Sequence, residues 1–74
     1  MKGSTVKAIR ISKGLTQAEL AELLGVVEAT ISRIESGQRN VSDRIRIRIA
    51  QLFGGDPEVE SAITKARAFE KLPI

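Results

Sequence analysis

In the stretch EATISRIES, residues 28 to 36, side chains that can hydrogen-bond interleave with apolar ones at helical spacing. At about 100° per residue, Glu28, Ser32, Ser36, Ala29 and Arg33 sweep out one face, and Ile31 and Ile34 lie roughly opposite. The chain has no histidine to activate Ser32 or Ser36 as a nucleophile, so the chemistry of such a face is recognition. Arg33 carries a planar fork of donors suited to the O6/N7 edge of guanine, a contact worth about 1–3 kcal/mol of discrimination. The same fork serves a phosphate or plain solvation. Ala29 suits a thymine methyl, although alanine is also the best helix former. Ser32 both donates and accepts, so it specifies little. Glu28 is the odd member: it meets phosphate repulsion unless it accepts from cytosine N4, or it simply sits well at the positive end of a helix.

Other chemistries have little to work with. The chain has no cysteine, histidine, tryptophan or tyrosine, which excludes disulfides, thiolate zinc sites and histidine-based catalytic pairs. Glu19 and Glu22 in AELAE read as solvated charges on a helix face, so neither an enzyme nor a metal site is expected, and no cofactor is implied. No apolar run approaches the ~20 residues that span a bilayer. The expectation is a cytoplasmic protein without a membrane partner. Twelve Lys and Arg against nine Asp and Glu give a net charge of +3, and Arg33, Arg39, Arg44, Arg46 and Arg48 crowd the middle of the chain. That placement favours an anionic partner more than the total does.

The elements that must hold this face can be read from caps and periodicity. TVKAIRISK forms a first helix ending at Gly14. In LTQAELAELLG, Thr16 and Glu19 make a capping box, Leu15 and Leu20 a hydrophobic staple, and Gly25 a left-handed stop. The second helix starts at Gln17. Only Val26 and Val27 separate Gly25 from the third helix, so the two must cross closely, with small Ala21 at the crossing and Leu20, Leu24, Val26, Ile31 and Ile34 inward. The stretch RIRIRIAQLF alternates like a strand, but alternation fails at IAQLF. Ile45, Ile49, Leu52 and Phe53 fall within about one third of a helical circumference. It is read as a fourth helix, capped by Ser42 and ending at Phe53. Asp56 caps a fifth helix, about 57–71, with Pro57 at its first position.

The fourth helix leaves Ile47 among arginines, as an isolated exposed isoleucine or as part of a homodimer seam. The fifth carries Val59, Ile63, Ala66 and Phe69. That row packs on the domain's own core, pairs two copies of the chain, or holds another protein such as a toxin or an RNA polymerase subunit. With 74 residues and 42% hydrophobic side chains, residues 1–74 form one all-α domain with a marginal core, which a second copy would help.

A second helix presented outward after a tight turn, spanning about residues 17–36, is a helix-turn-helix arrangement. At this point GLTQAELAELLGV followed by TISRIESGQRN strongly resembles the Cro/phage-repressor-like (XRE-type) helix-turn-helix family, over roughly residues 6 to 55. The resemblance implies a compact five-helix, lambda-repressor-like domain that binds double-stranded operator DNA as a homodimer and regulates transcription. It implies base contacts at Glu28, Ala29, Ser32 and Arg33, and phosphate contacts at Gln17 and Thr30. Arg39, Asn40 and Arg44 flank the loop after the third helix. Loop arginines are usually just solvated, and the resemblance tips them toward phosphate. The resemblance also implies an ion pair between Arg10 and Glu35, whose bland alternative is two surface charges. The expected dimer contacts are Ile47, Val59, Ile63 and Phe69. No effector domain is expected after the fifth helix, and the short chain favours a phage regulator or a restriction-modification controller over an antitoxin.

Two positions depart from the family pattern. Asp43 and Arg46 stand at usually apolar positions of the fourth helix. Val27 stands at the N-cap of the third, where Ser or Thr is usual, so the cap side chain is missing. Val27→Thr is expected to recover about 1 kcal/mol, raising the melting temperature by about 4–8 °C. Thermal unfolding followed by circular dichroism checks this, and an unchanged or lower value would mean that Val27 is packed or misassigned.

Overall fold

A computed structural model describes residues 1–70 and contains five helices: α1 (Gly3–Ser12), α2 (Gln17–Leu24), α3 (Glu28–Glu35), α4 (Asp43–Phe53) and α5 (Pro57–Glu70). The expected end of the last helix at 71 lies outside the described residues. The local signals work as chemistry predicts. Glu19 N–H donates to Thr16 Oγ1 (3.0 Å) while Thr16 N–H donates to Glu19 Oε1 (2.9 Å), closing the capping box at the start of α2. Gly25 ends that helix at φ 69°, in the left-handed region where a side chain is strained. Ser42 Oγ accepts from Ile45 N–H (3.3 Å) to start α4.

Each helix contributes to one core. Val6 and Ile9, Leu20, Ala21 and Leu24, Ile31 and Ile34, Ile45, Ile49 and Phe53, and Val59 are all buried, with Leu15, Val26, Val41, Leu52 and Ile63 packed around them. The strand-like RIRIRI is helical, and its buried side is Ile45, Ile49 and Phe53. Asp43 and Arg46 do not oppose this docking. Both are exposed and approach each other at 3.5 Å on the solvent side.

One of the expected dimer contacts is corrected. Val59 is only 1% exposed and belongs to the protomer's own core, and Ile63 is half-buried against it. The row along α5 serves first to close the domain. Ile47 (49%) and Phe69 (77%) remain exposed.

The first helix starts two residues earlier than its periodicity suggested, at Gly3, and Lys13 lies just beyond its end. A Cβ on Gly3 would collide with the backbone carbonyl of Ile34. A residue without a side chain therefore lets the start of α1 approach the end of α3. At the other end of α1, Lys13 Nζ donates to Asp56 Oδ2 (2.9 Å) and, more weakly, to Glu58 Oε2 (3.5 Å). Asp56 is also the cap of α5, accepting from Glu58 N–H (2.9 Å) and Val59 N–H (3.4 Å). One carboxylate thus ties α1 to α5 and starts α5.

The Lys13 ammonium, with help from those amides, holds the Asp56 carboxyl below its ordinary value near 3.8. A carboxyl depressed in the folded state stabilises it fully above the unfolded value, and that contribution is lost as pH falls through the folded one. The backbone amide and hydroxyl of Thr16 lower Glu19 in the same way. Melting temperature should therefore drop as pH falls below about 4. Asp56→Asn, which keeps a capping oxygen but no charge, should start lower at neutral pH and drop less. An identical acid slope in both proteins would reject this role for Asp56.

Candidate nucleic-acid interface

The helical angles of α3 divide it as its sequence requires. Glu28, Ala29, Ser32 and Arg33 are exposed, while Ile31 and Ile34 are fully buried. Thr30 corrects the expectation of a phosphate contact. It is 7% exposed, so its side chain lies with the buried isoleucines, and its N–H already donates to Val27 O (3.0 Å). The end of α3 is wrapped by the following loop: Gln38 and Arg39 N–H both donate to the Arg33 carbonyl (2.9 and 3.2 Å). This carries exposed Arg39 and Asn40 beside the outward face. Arg44 follows, exposed in the first turn of α4.

What aims α3 is a polar cluster at its last residue. Arg10 Nε donates to Glu35 Oε2 (2.8 Å) and Arg10 Nη2 to Glu35 Oε1 (3.0 Å), a two-bond fork. Arg10 Nη1 donates to the Leu15 carbonyl (2.9 Å), and Gln17 Nε2 to Glu35 Oε1 (3.2 Å). The Glu35 side chain is 4% exposed and that of Arg10 16%. The cluster therefore joins α1, the loop before α2, the first residue of α2 and the last of α3. Hydrogen bonding to Glu35 raises the Arg10 guanidinium above its already high value, so Arg10 stays charged across any ordinary pH. Among the described residues no buried side-chain nitrogen or oxygen lacks a hydrogen-bond partner. Gln17 is thus oriented by Glu35 at the edge of the α3 face.

Sequence reasoning missed the link from Gln17 to Glu35, the Lys13 bridge to Asp56 and the bond from Arg48 Nε to the Leu23 carbonyl (3.4 Å) that helps hold α4 on α2. All three are long-range pairings of ordinary polar groups, one of them a backbone carbonyl, and no local spacing signals them. The exposure of Val27 was foreshadowed by its place at a cap that it cannot serve.

A helix pair crossing over Ala21, with the second helix turned outward, defines a helix-turn-helix DNA-binding domain of the all-α, five-helix kind. Residues 6–59 match the helix-turn-helix family model, and the chain belongs to the XRE-type helix-turn-helix family of DNA-binding transcription regulators. Among curated proteins it is similar to the HTH-type transcriptional regulator RamB of Mycobacterium tuberculosis, 33% identical over 54 residues. That match covers 73% of this chain but only 11% of RamB. It is also similar to an uncharacterized HTH-type transcriptional regulator of Archaeoglobus fulgidus, 40% identical over 48 residues, covering 65% of this chain and 69% of that protein. No solved structure matches significantly.

Removing one partner of the buried pair leaves the other charge stranded. Arg10→Met should cost about 3–5 kcal/mol, because Glu35 would keep only Gln17. Glu35→Leu should cost less, since Arg10 can reach water and still hold the Leu15 carbonyl. The double variant should cost well under the sum. Chemical denaturation of the three proteins tests this, and small additive losses would show that the fork contributes nothing.

Proposed function

We propose that this protein is a sequence-specific regulator of transcription, of the phage Cro/repressor or restriction-modification controller type, acting in the cytoplasm. It binds double-stranded operator DNA as a homodimer on a pseudo-palindrome with half-sites about one helical turn apart. The observation that carries this reading is the division of α3. Glu28, Ala29, Ser32 and Arg33 stand clear of the domain while the opposite side of the same helix is sealed into the core.

In this reading α3 lies in the major groove. Gln17, Arg39, Asn40 and Arg44 hold backbone phosphate around it, fixing register without reading sequence. Arg33 supplies the discriminating fork toward a guanine. Glu28 either accepts from a cytosine or only complements the helix dipole. The copies meet through accessible apolar residues, for which Ile47, Phe69 and the half-buried Ile63 are the candidates left once Val59 is assigned to the core. The burial of Val59 also weakens the alternative of a dedicated protein-docking seam on α5 for a toxin or polymerase subunit.

The test is selection of bound duplexes from a random pool at near-physiological salt, with the mass of the complex determined. An enriched inverted repeat carrying two copies of the chain supports the reading. Weak, steeply salt-dependent binding without enrichment counts against it. On the selected operator, Arg33→Ala should weaken binding by about 5- to 150-fold per half-site and abolish the preference at one G·C pair in each. A uniform loss over all sequences would reassign Arg33 to phosphate.

A further inference from the structure

Val27 sits at the N-cap of α3 with extended backbone angles (φ −80°, ψ 154°) and makes no side-chain capping bond. Nor is it recruited to the core. It is 69% exposed, whereas its neighbour Val26 packs against the core. Its backbone is fixed, because the Val27 carbonyl accepts the first bond of α3 from Thr30 N–H (3.0 Å). The domain thus forgoes a capping oxygen and displays a stiff, β-branched apolar side chain at the leading end of α3, beside exposed Glu28 and Ala29. The leading residues of the second helix are those that meet base edges, and the apolar group that the major groove offers is the C5-methyl of thymine.

We infer that Val27 is a specificity-determining residue, packing its two methyl groups on a thymine methyl in each half-site. The inference rests on the DNA-binding reading above and adds an A·T position to the G·C position assigned to Arg33. A β-branched side chain with restricted χ1 loses little rotational freedom on docking, and the contact removes apolar surface from water on both sides.

Replacing single thymines of the selected operator by deoxyuridine deletes the methyl and keeps every hydrogen-bonding edge. For the unmodified protein, one such replacement per half-site should weaken binding by about fourfold, the value of one buried methyl-sized group. Val27→Ser supplies a capping oxygen and removes the methyls. It should melt higher, bind the thymine operator about fourfold more weakly per half-site and be indifferent to deoxyuridine at that position. A purely structural role would move stability and readout together. The inference is overturned if the unmodified protein ignores every deoxyuridine, or if Val27→Ser retains the same sensitivity, which would hand the methyl to Ala29. Failure to select any duplex removes the parent reading and this one with it, and is distinguishable because it precedes the thymine scan.

Discussion

The orientation of α3 depends on one nearly buried carboxylate. Glu35 closes α3, and three donors converge on it: two from Arg10 on α1 and one from Gln17 at the start of α2. Burying a charge is costly unless its partners are in place, so the cluster tolerates little slippage between these helices. Apolar packing alone would leave α3 free to rotate or slide by a fraction of a turn, because isoleucines fit a range of similar grooves. The directional fork does not. The net worth of such a pair for stability is modest; its use here is to fix an angle.

Around that fixed point the chain separates two demands by helical face. Ile31 and Ile34 satisfy the core, and the residues between them are released for solvent or a ligand. The remaining helices are held by small local devices: a capping box at Thr16, a serine cap at Ser42, and an aspartate cap at Asp56 that doubles as the anchor for Lys13. Each fixes a helix start, and with it which side chains face inward. In α4 the result is a helix whose core side is as apolar as any, despite arginine at alternate positions along RIRIRI.

Much of this was legible before any coordinates, because it is encoded locally. The capping box, the left-handed Gly25, the apolar periodicity of α2 and α3 and the angles of Ile45, Ile49 and Phe53 all act within a turn or two of chain. The motif from GLTQAELAELLGV to TISRIESGQRN carried the family, and the resemblance in turn implied the ion pair of Arg10 with Glu35. Burial by distant elements was not legible. Val59 belongs to a row that suits a partner surface as well as a core, and only the placement of the other helices decides for the core. Thr30 is a different case: at about 100° per residue it falls about 40° from Ile34, on the inward side of α3, and it was the resemblance, not the periodicity, that set it against phosphate. Lys13 and Asp56, 43 positions apart, give no sign of each other in the sequence.

The bare backbone of Gly3 against the Ile34 carbonyl has a topological consequence. It pins the beginning of the chain to the far end of α3, so that Met1 and Lys2 line the same surface hollow as Arg39 and Asn40. Any polypeptide joined ahead of Met1 would leave the domain beside the loop that follows the outward helix. A fusion at that end would start against the last turn of α3.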